Sequence, residues 1–283
     1  MKQTERLTVG MAQTLCVPGD IDANLVTIEA VCSQAAQKGV ALILFSEVAL
    51  TGSLQRLGCG RTAHEYATKL PGPETDRLTL VCRELGVSIL VGTVELGEDG
   101  KLYKSAFVVT PNGYEGKYRK YQPAPEEREE IDSGFETPLF RIQGWTMAIG
   151  VCWDLYFPEL AQLYASKGAD LYVLPTGDNA YPLRNARHAA EKSEFNRAGF
   201  RKVGPARACD NSMYVFIPVD ANSAGGSVAF DPTGEQIAFG RAGEELIPVE
   251  LRLDLLTETR PGFLPYWRSD IFSQLAENTS VQS

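Results

Sequence analysis

The sequence is poor in histidine, has no closely paired cysteines, carries no excess of positive charge and contains no long apolar run. Each absence removes a class of function. Only two of 283 residues are histidine, His64 and His188, so an H-E-x-x-H zinc site cannot be assembled and no metal site is expected. The six cysteines, Cys16, Cys32, Cys59, Cys82, Cys152 and Cys209, form no C-x-x-C pair, which points to reduced thiols rather than a disulfide framework or zinc ribbon. With 27 Lys and Arg against 36 Asp and Glu the net charge is -9, and a sequence-independent grip on nucleic acid or anionic lipid lacks its basic footprint. The longest purely apolar stretch, Val40 to Phe45, falls far short of the ~18 residues that cross a bilayer. Glu5 and Arg6 stand where a secretory signal would build its apolar region, so the expected compartment is the cytoplasm.

What is present reads as a large folded chain. Hydrophobic residues make up 44% and charged residues 22%, a balance that can bury a sizeable core. Leu7, Val9 and Met11 alternate as a strand, and Asp20 or Asp22 can cap a helix with apolar positions Leu25, Ile28, Val31, Cys32 and Ala35. A buried strand follows at Val40 to Phe45, then a helix marked by Leu78, Val81, Cys82 and Leu85, then a strand from Val87 to Val94. Leu102 to Thr110 and Tyr114 to Lys120 flank the turn Pro111-Asn112-Gly113 as a hairpin, and residues 121–137 form a charged, solvated connection. An apolar strand ends at Val151, a helix opens at Pro158, and a second series follows: strand Leu171 to Leu174, helix 186–210, strand Met213 to Val219, a hairpin around Asp231 to Gly234, and strand Ile247 to Leu253. There is no internal sequence repeat and no linker, so the pattern predicts one compact α/β domain with helices covering sheets.

Two motifs fail on context. Gly58-Cys59-Gly60-Arg61-Thr62-Ala63 matches a dinucleotide fingerprint, but Gln55 and Arg56 interrupt the strand that must precede it. Gly225-Gly226-Ser227-Val228-Ala229 nearly matches a serine-hydrolase elbow, yet both histidines lie upstream of the serine, so a packed glycine-rich strand is the better reading.

Cys152 is different from the other thiols. It follows a strand and precedes a helix, and the carboxyl ends of strands in open α/β sheets are where ligands bind. A helix start also favours thiolate. Glu47 stands just past the apolar segment ALILF, and Lys120 ends the hairpin strand. Taken singly, each reads as a buried thiol, a solvated carboxylate and an exposed lysine.

Together the segments ILFSEVALTG, KYRKYQPAPEER and IGVCWDLYFPEL resemble the glutamate, lysine and cysteine motifs of the nitrilase superfamily of carbon–nitrogen hydrolases. RACDNSMYVF and GGSVAFDPTGEQIA are similar to further stretches of that family, and the resemblance spans about residues 6–270. It implies a single domain over 1–283, with a core of about 6–270 and a C-terminal tail, folded as a four-layer α-β-β-α sandwich. It implies Cys152 as nucleophile, Glu47 as general base, Lys120 as the cation facing the tetrahedral intermediate, and Glu127 as a supporting glutamate seven residues before Gly134. No metal or organic cofactor is implied.

Ser46, Tyr121 and Asp210 depart from the usual proline, histidine and glutamate. Cys152-Trp153-Asp154 followed by Phe157-Pro158-Glu159 resembles the amidase and carbamoylase branches, so the expected substrate is a small linear amide or carbamoyl amine, with nitrile hydrolysis as the alternative. Trp153, Tyr156, Tyr121, Asp178, Asn179 and Tyr181 are the candidate pocket residues. A papain-like pairing of Cys152 with His188 and a silent binding protein on the same scaffold are the competing readings. The resemblance also implies a homodimer, or a higher homo-oligomer, built on the helix after the nucleophile, near Phe157 to Tyr164.

Overall fold

The structure is a computed structural model that describes residues 3–52, 62–125, 127–177, 199–221 and 226–263. Twelve strands among these residues form two six-stranded mixed sheets. The first has the order β12-β1-β2-β3-β4-β5, built from β1 (Arg6–Gln13), β2 (Leu42–Leu44), β3 (Ser88–Leu96), β4 (Leu102–Thr110), β5 (Gly113–Arg119) and β12 (Glu245–Arg252). The second has the order β11-β10-β9-β8-β7-β6, from β6 (Leu139–Ile142), β7 (Trp145–Ile149), β8 (Leu171–Val173), β9 (Tyr214–Ile217), β10 (Val228–Phe230) and β11 (Gln236–Phe239). In each sheet two parallel pairings, β1-β2-β3 and β7-β8-β9, are extended by antiparallel hairpin strands. The two halves thus share a topology that the sequence shows no trace of as a repeat.

Alternation explains the layers. Leu42, Leu44, Leu90, Ala106 and Val108 point one way and join the second sheet's Met147, Ile149, Val173 and Phe216 in the central core. Ile43, Ile89, Val91, Phe107 and Val109 point the other way, under α1 (Ile21–Gln37) and α2 (Pro73–Leu85). The side chain of Asp20 caps α1 by accepting the Ala23 N–H at 3.0 Å. Leu25, Ile28, Cys32 and Ala35 then fall on its buried stripe. Helix α3 (Pro158–Ser166) and the described part of α4 (199–209) pack on the second sheet through Leu160, Ala161, Tyr164, Phe200 and Ala208. The fold is therefore the expected α/β four-layer sandwich, with α5 (Leu253–Phe263) following β12.

Two local expectations change. The connection 121–137 is not simply solvated, because Ala124, Glu127 and Ile131 are buried within it. The apolar stretch from Leu139 onward is two strands, β6 and β7, separated by a turn in which Gln143 and Gly144 both have positive φ. The strand that was expected over Met213 to Val219 and the hairpin over Asp231 to Gly234 form as β9 and β10-β11. The Gly58 motif lies outside the described residues, whereas Val228 and Ala229 lie in β10 as a packed strand.

Candidate active site

Glu47, Lys120 and Cys152 each follow the carboxyl end of a strand. Glu47 follows β2 in a turn pressed against β3, where a Cβ on Gly92 would lie 2.2 Å from the Glu47 carbonyl oxygen. Only glycine admits that approach. Lys120 follows β5 two residues after Tyr118, on the same inward face, because side chains repeat with period two. Its carboxylate partner Glu127 is brought back by a tight turn: the Glu127 N–H donates to Ala124 O at 2.8 Å, and the Gly134 N–H donates to Lys120 O at 2.8 Å. A Cβ on Gly134 would stand 2.4 Å from Arg119 O, so the seven-residue spacing from Glu127 to a glycine is the length of a loop closed onto the strand that carries the lysine.

These side chains form a closed ring of charge. Lys120 Nζ lies 2.8 Å from Glu47 Oε1 and 2.8 Å from Glu127 Oε2. A second lysine, Lys104 on β4, lies 3.1 Å from Glu47 Oε1 and donates to Glu127 Oε1 in a short contact. All four side chains are at most 4% exposed. For Lys104, Lys120 and Glu127 burial opposes the charged form, but the neighbours win. It acts to lower Lys120 and Lys104, yet the carboxylates of Glu47 and Glu127 hold both ammoniums above their usual range, with Cys152 adding to the effect. It acts to raise Glu127, yet Lys104 and Lys120 hold that carboxyl well below its ordinary value.

Cys152 opens a 3-10 turn, Cys152–Tyr156, directly after β7 and has φ 48°, a left-handed backbone that a residue with a Cβ rarely adopts. Its N–H donates to Pro175 O at 3.0 Å, next to Gly177, whose own N–H donates to Glu47 Oε2 at 2.9 Å. Burial pushes the thiol up, Glu47 adds to that, and Lys120 pulls it back, with the balance well above the usual value. The resting group is thus a thiol that requires a base.

Asp154 ties the Cys152 turn to the lysine strand. Its Oδ2 accepts from the Val151 N–H at 2.8 Å and from the Tyr118 hydroxyl at 2.8 Å, while Oδ1 accepts from the Gln122 N–H at 2.8 Å. Burial raises its pKa to about 6 against the pull of those donors and of Lys120.

The structure brings Glu47, Lys120, Glu127 and Cys152 together. Trp153 and Tyr156 are half-buried beside Cys152, their rings 4.9 Å apart. Tyr121 is 39% exposed and faces a surface groove with Phe135 and Leu163. Asp178, Asn179, Tyr181 and His188 lie outside the described residues. Lys104 escaped the sequence reading. Its signal was a lysine within the apolar strand LYKSAFVVT, in step with Ala106 and Val108, where a charge needs buried partners. Among the described residues no cluster of three His, Cys, Asp or Glu side chains could hold a metal ion.

The carbon-nitrogen hydrolase family model matches residues 8–261. The chain belongs to that family. Its relatives include the omega-amidase NIT2 of Xenopus tropicalis, 30% identical over 80% of this chain and 82% of the relative. Among solved structures, Nit3 of Saccharomyces cerevisiae, a member of branch 10 of the nitrilase superfamily, superposes with a TM-score of 0.78 at 21% identity over 95% of this chain and 97% of its own. A mutant of the amidase from Nesterenkonia sp. AN1, which shows Michael addition of acrylamide at its active site cysteine, superposes with a TM-score of 0.71 at 21% identity over 93% of this chain and 100% of its own. This carbon–nitrogen hydrolase therefore carries the fold along essentially its whole described length.

Proposed function

We propose that the chain hydrolyses a small linear amide or carbamoyl amine through a thioester on Cys152. The observation that carries this reading is the convergence at Cys152 of the Glu47 carboxylate, pinned from both sides by Gly177 and Lys120, and of the Lys120 ammonium itself. Glu47 removes the thiol proton as Sγ attacks the carbonyl carbon. The oxyanion is met by Lys120, two of whose three N–H groups go to Glu47 and Glu127, and by the backbone N–H of Trp153. Glu47 returns the proton to the leaving nitrogen as the C–N bond breaks, releasing ammonia or an amine. The same carboxylate then activates water, which cleaves the thioester and restores the thiol. Glu127 holds Lys120 in place. Trp153 and Tyr156, beside Cys152, would bound the acyl group; Asp178, Asn179 and Tyr181 stay candidates on their sequence alone, and Tyr121 lines the separate groove with Phe135 and Leu163. The acrylamide adduct of the Nesterenkonia amidase supports the use of cysteine.

The same proposal places the enzyme in the cytoplasm as a homodimer, folded as one domain. Cys32, Cys82, Cys152 and Cys209 are free thiols, which supports a reducing compartment. No described helix is long and apolar enough to cross a membrane. Beside α3, Phe135 is 83% exposed and Leu163 42%, an apolar face that a second copy would cover.

A panel of amides, carbamoyl amines and nitriles, assayed for ammonia with intact-mass detection of an acyl adduct, tests the reaction. Turnover of amides with the adduct on Cys152 is the expected result. Turnover of nitriles alone, or activity that survives Cys152→Ala, would overturn it.

A further inference from the structure

Lys104 has no part in the reaction described above, yet it closes the ring. Strands β4 and β5 pair with Ser105 opposite Arg119, and the next step along the ladder sets Lys104 opposite Lys120, where the Lys120 N–H donates to Lys104 O at 2.8 Å. Two ammoniums side by side on one inward face repel each other unless carboxylates come between them. Glu47 from the end of β2 and Glu127 from the loop after β5 do so, each touching both lysines. Both ion pairs of Lys104 are to carboxylate oxygens, and its charge also acts across the ring on the Cys152 thiol.

The count of charge gives that influence a sign. Glu47, Glu127 and Lys120 alone would present a net charge of minus one, buried and facing the thiol. With Lys104 the ring is neutral. Moving the thiol proton to Glu47 leaves the sum unchanged, so the five groups together stay neutral in both states, whereas without Lys104 both states would carry an uncompensated negative charge in a dry site. We propose that Lys104 is a positioning residue that neutralises the buried carboxylate pair and thereby allows negative charge to form at Cys152. This rests on the assignment of Cys152 as the nucleophile. The charged and titratable groups that face Lys104 are Glu127, Glu47, Lys120 and Cys152.

Alkylation by iodoacetamide tests the inference without a substrate. The thiolate forms a bond to the reagent's methylene carbon, iodide leaves, and the thiol proton goes to solvent. The rate at Cys152, followed by peptide mass against pH, is compared in wild type, Lys104→Met, Lys104→Arg and the double variant Lys104→Met with Glu127→Gln. The Lys104→Met profile should move to higher pH by about one unit or more, a loss of about tenfold in rate at fixed pH below the midpoint. Lys104→Arg keeps the charge and should stay near wild type. The double variant restores neutrality and should return toward wild type. A Lys104→Met profile that coincides with wild type, or an equal shift in Lys104→Arg, overturns the inference. If Lys104→Met does not fold, the double variant decides. Folding with a near-wild-type profile supports charge balance, and failure to fold or an equally displaced profile refutes it. A wild type that shows this behaviour yet turns over no amide would sink the proposed reaction and leave the role of Lys104 standing.

Discussion

The backbone N–H of Gly177 donates to Glu47 Oε2 at 2.9 Å, and this bond joins the end of β8 in one sheet to the end of β2 in the other. The opposite oxygen, Oε1, meets both buried lysines. A carboxylate held this way has three donors aimed at it, and a carboxamide, whose nitrogen donates instead of accepting, cannot satisfy them all.

Glu47→Gln should therefore lose the base and the fit together. Any acyl-enzyme formed slowly from an activated ester is expected to persist, read as intact mass against time. The variant should also be destabilised by about 3–5 kcal/mol in denaturant melts, the usual cost of breaking a buried ion pair from one side. Thioester turnover at the wild-type rate would reject Glu47 as the base for deacylation and move suspicion to Glu127.

Lys120→Ala should slow thioester formation by about 100-fold or more, the typical loss for a missing oxyanion donor. Stopped-flow acylation with the same activated ester measures it. A change below about threefold would leave Lys120 as a structural counter-charge only.

The thiols should separate by chemistry. Cys152→Ala is expected to abolish turnover in a folded protein, while Cys32→Ala and Cys82→Ala, both at 0% exposure under the first sheet's helices, should cost stability on the order of 1 kcal/mol and spare activity. Cys32 and Cys82 are closed off from solvent whereas Cys152 is partly exposed, so native-state labelling at neutral pH should pass the first two over. Equal activity loss in all three variants, corrected for folded fraction, would count against Cys152.

Asp154 makes a pH prediction. Burial raises it from the usual 3.8 to about 6 in the folded chain, so it binds its proton more tightly folded than unfolded. Its contribution favours the fold most below about pH 4 and is lost as pH rises through about 6. Asp154→Asn removes this titration and sets an amide N–H against backbone donors, so the variant should be less stable, with a gap from wild type that narrows between pH 4 and 6. Denaturant midpoints across that range check it, and a gap independent of pH would reject the shift.

The α3 face makes a prediction about assembly. Leu163→Glu on the exposed apolar groove should convert a dimer into a 30.9 kDa monomer by sedimentation at micromolar concentration. A wild type that sediments only as the monomer would remove the proposed interface.

The sequence by itself determined the elements and pointed to three of the groups proposed to react. Period-two and helical spacings located the strands and helices, because those periods follow from local backbone geometry. Glu47, Lys120 and Cys152 were legible because each ends a strand, within segments that resemble a known family. Glu127 was legible only through that resemblance, in a run of charges whose local reading is solvent, and Lys104 was not legible at all. The tertiary structure decided both. Strand register set Lys104 across from Lys120, the Gly134 turn returned Glu127 to the same point, and the stacking of two sheets closed water out around them. A lysine's charge belongs to its residue, but whether that charge is solvated or paired depends on segments more than 50 positions away, such as Glu47 from Lys120. Long-range packing makes that decision, and local sequence does not encode it.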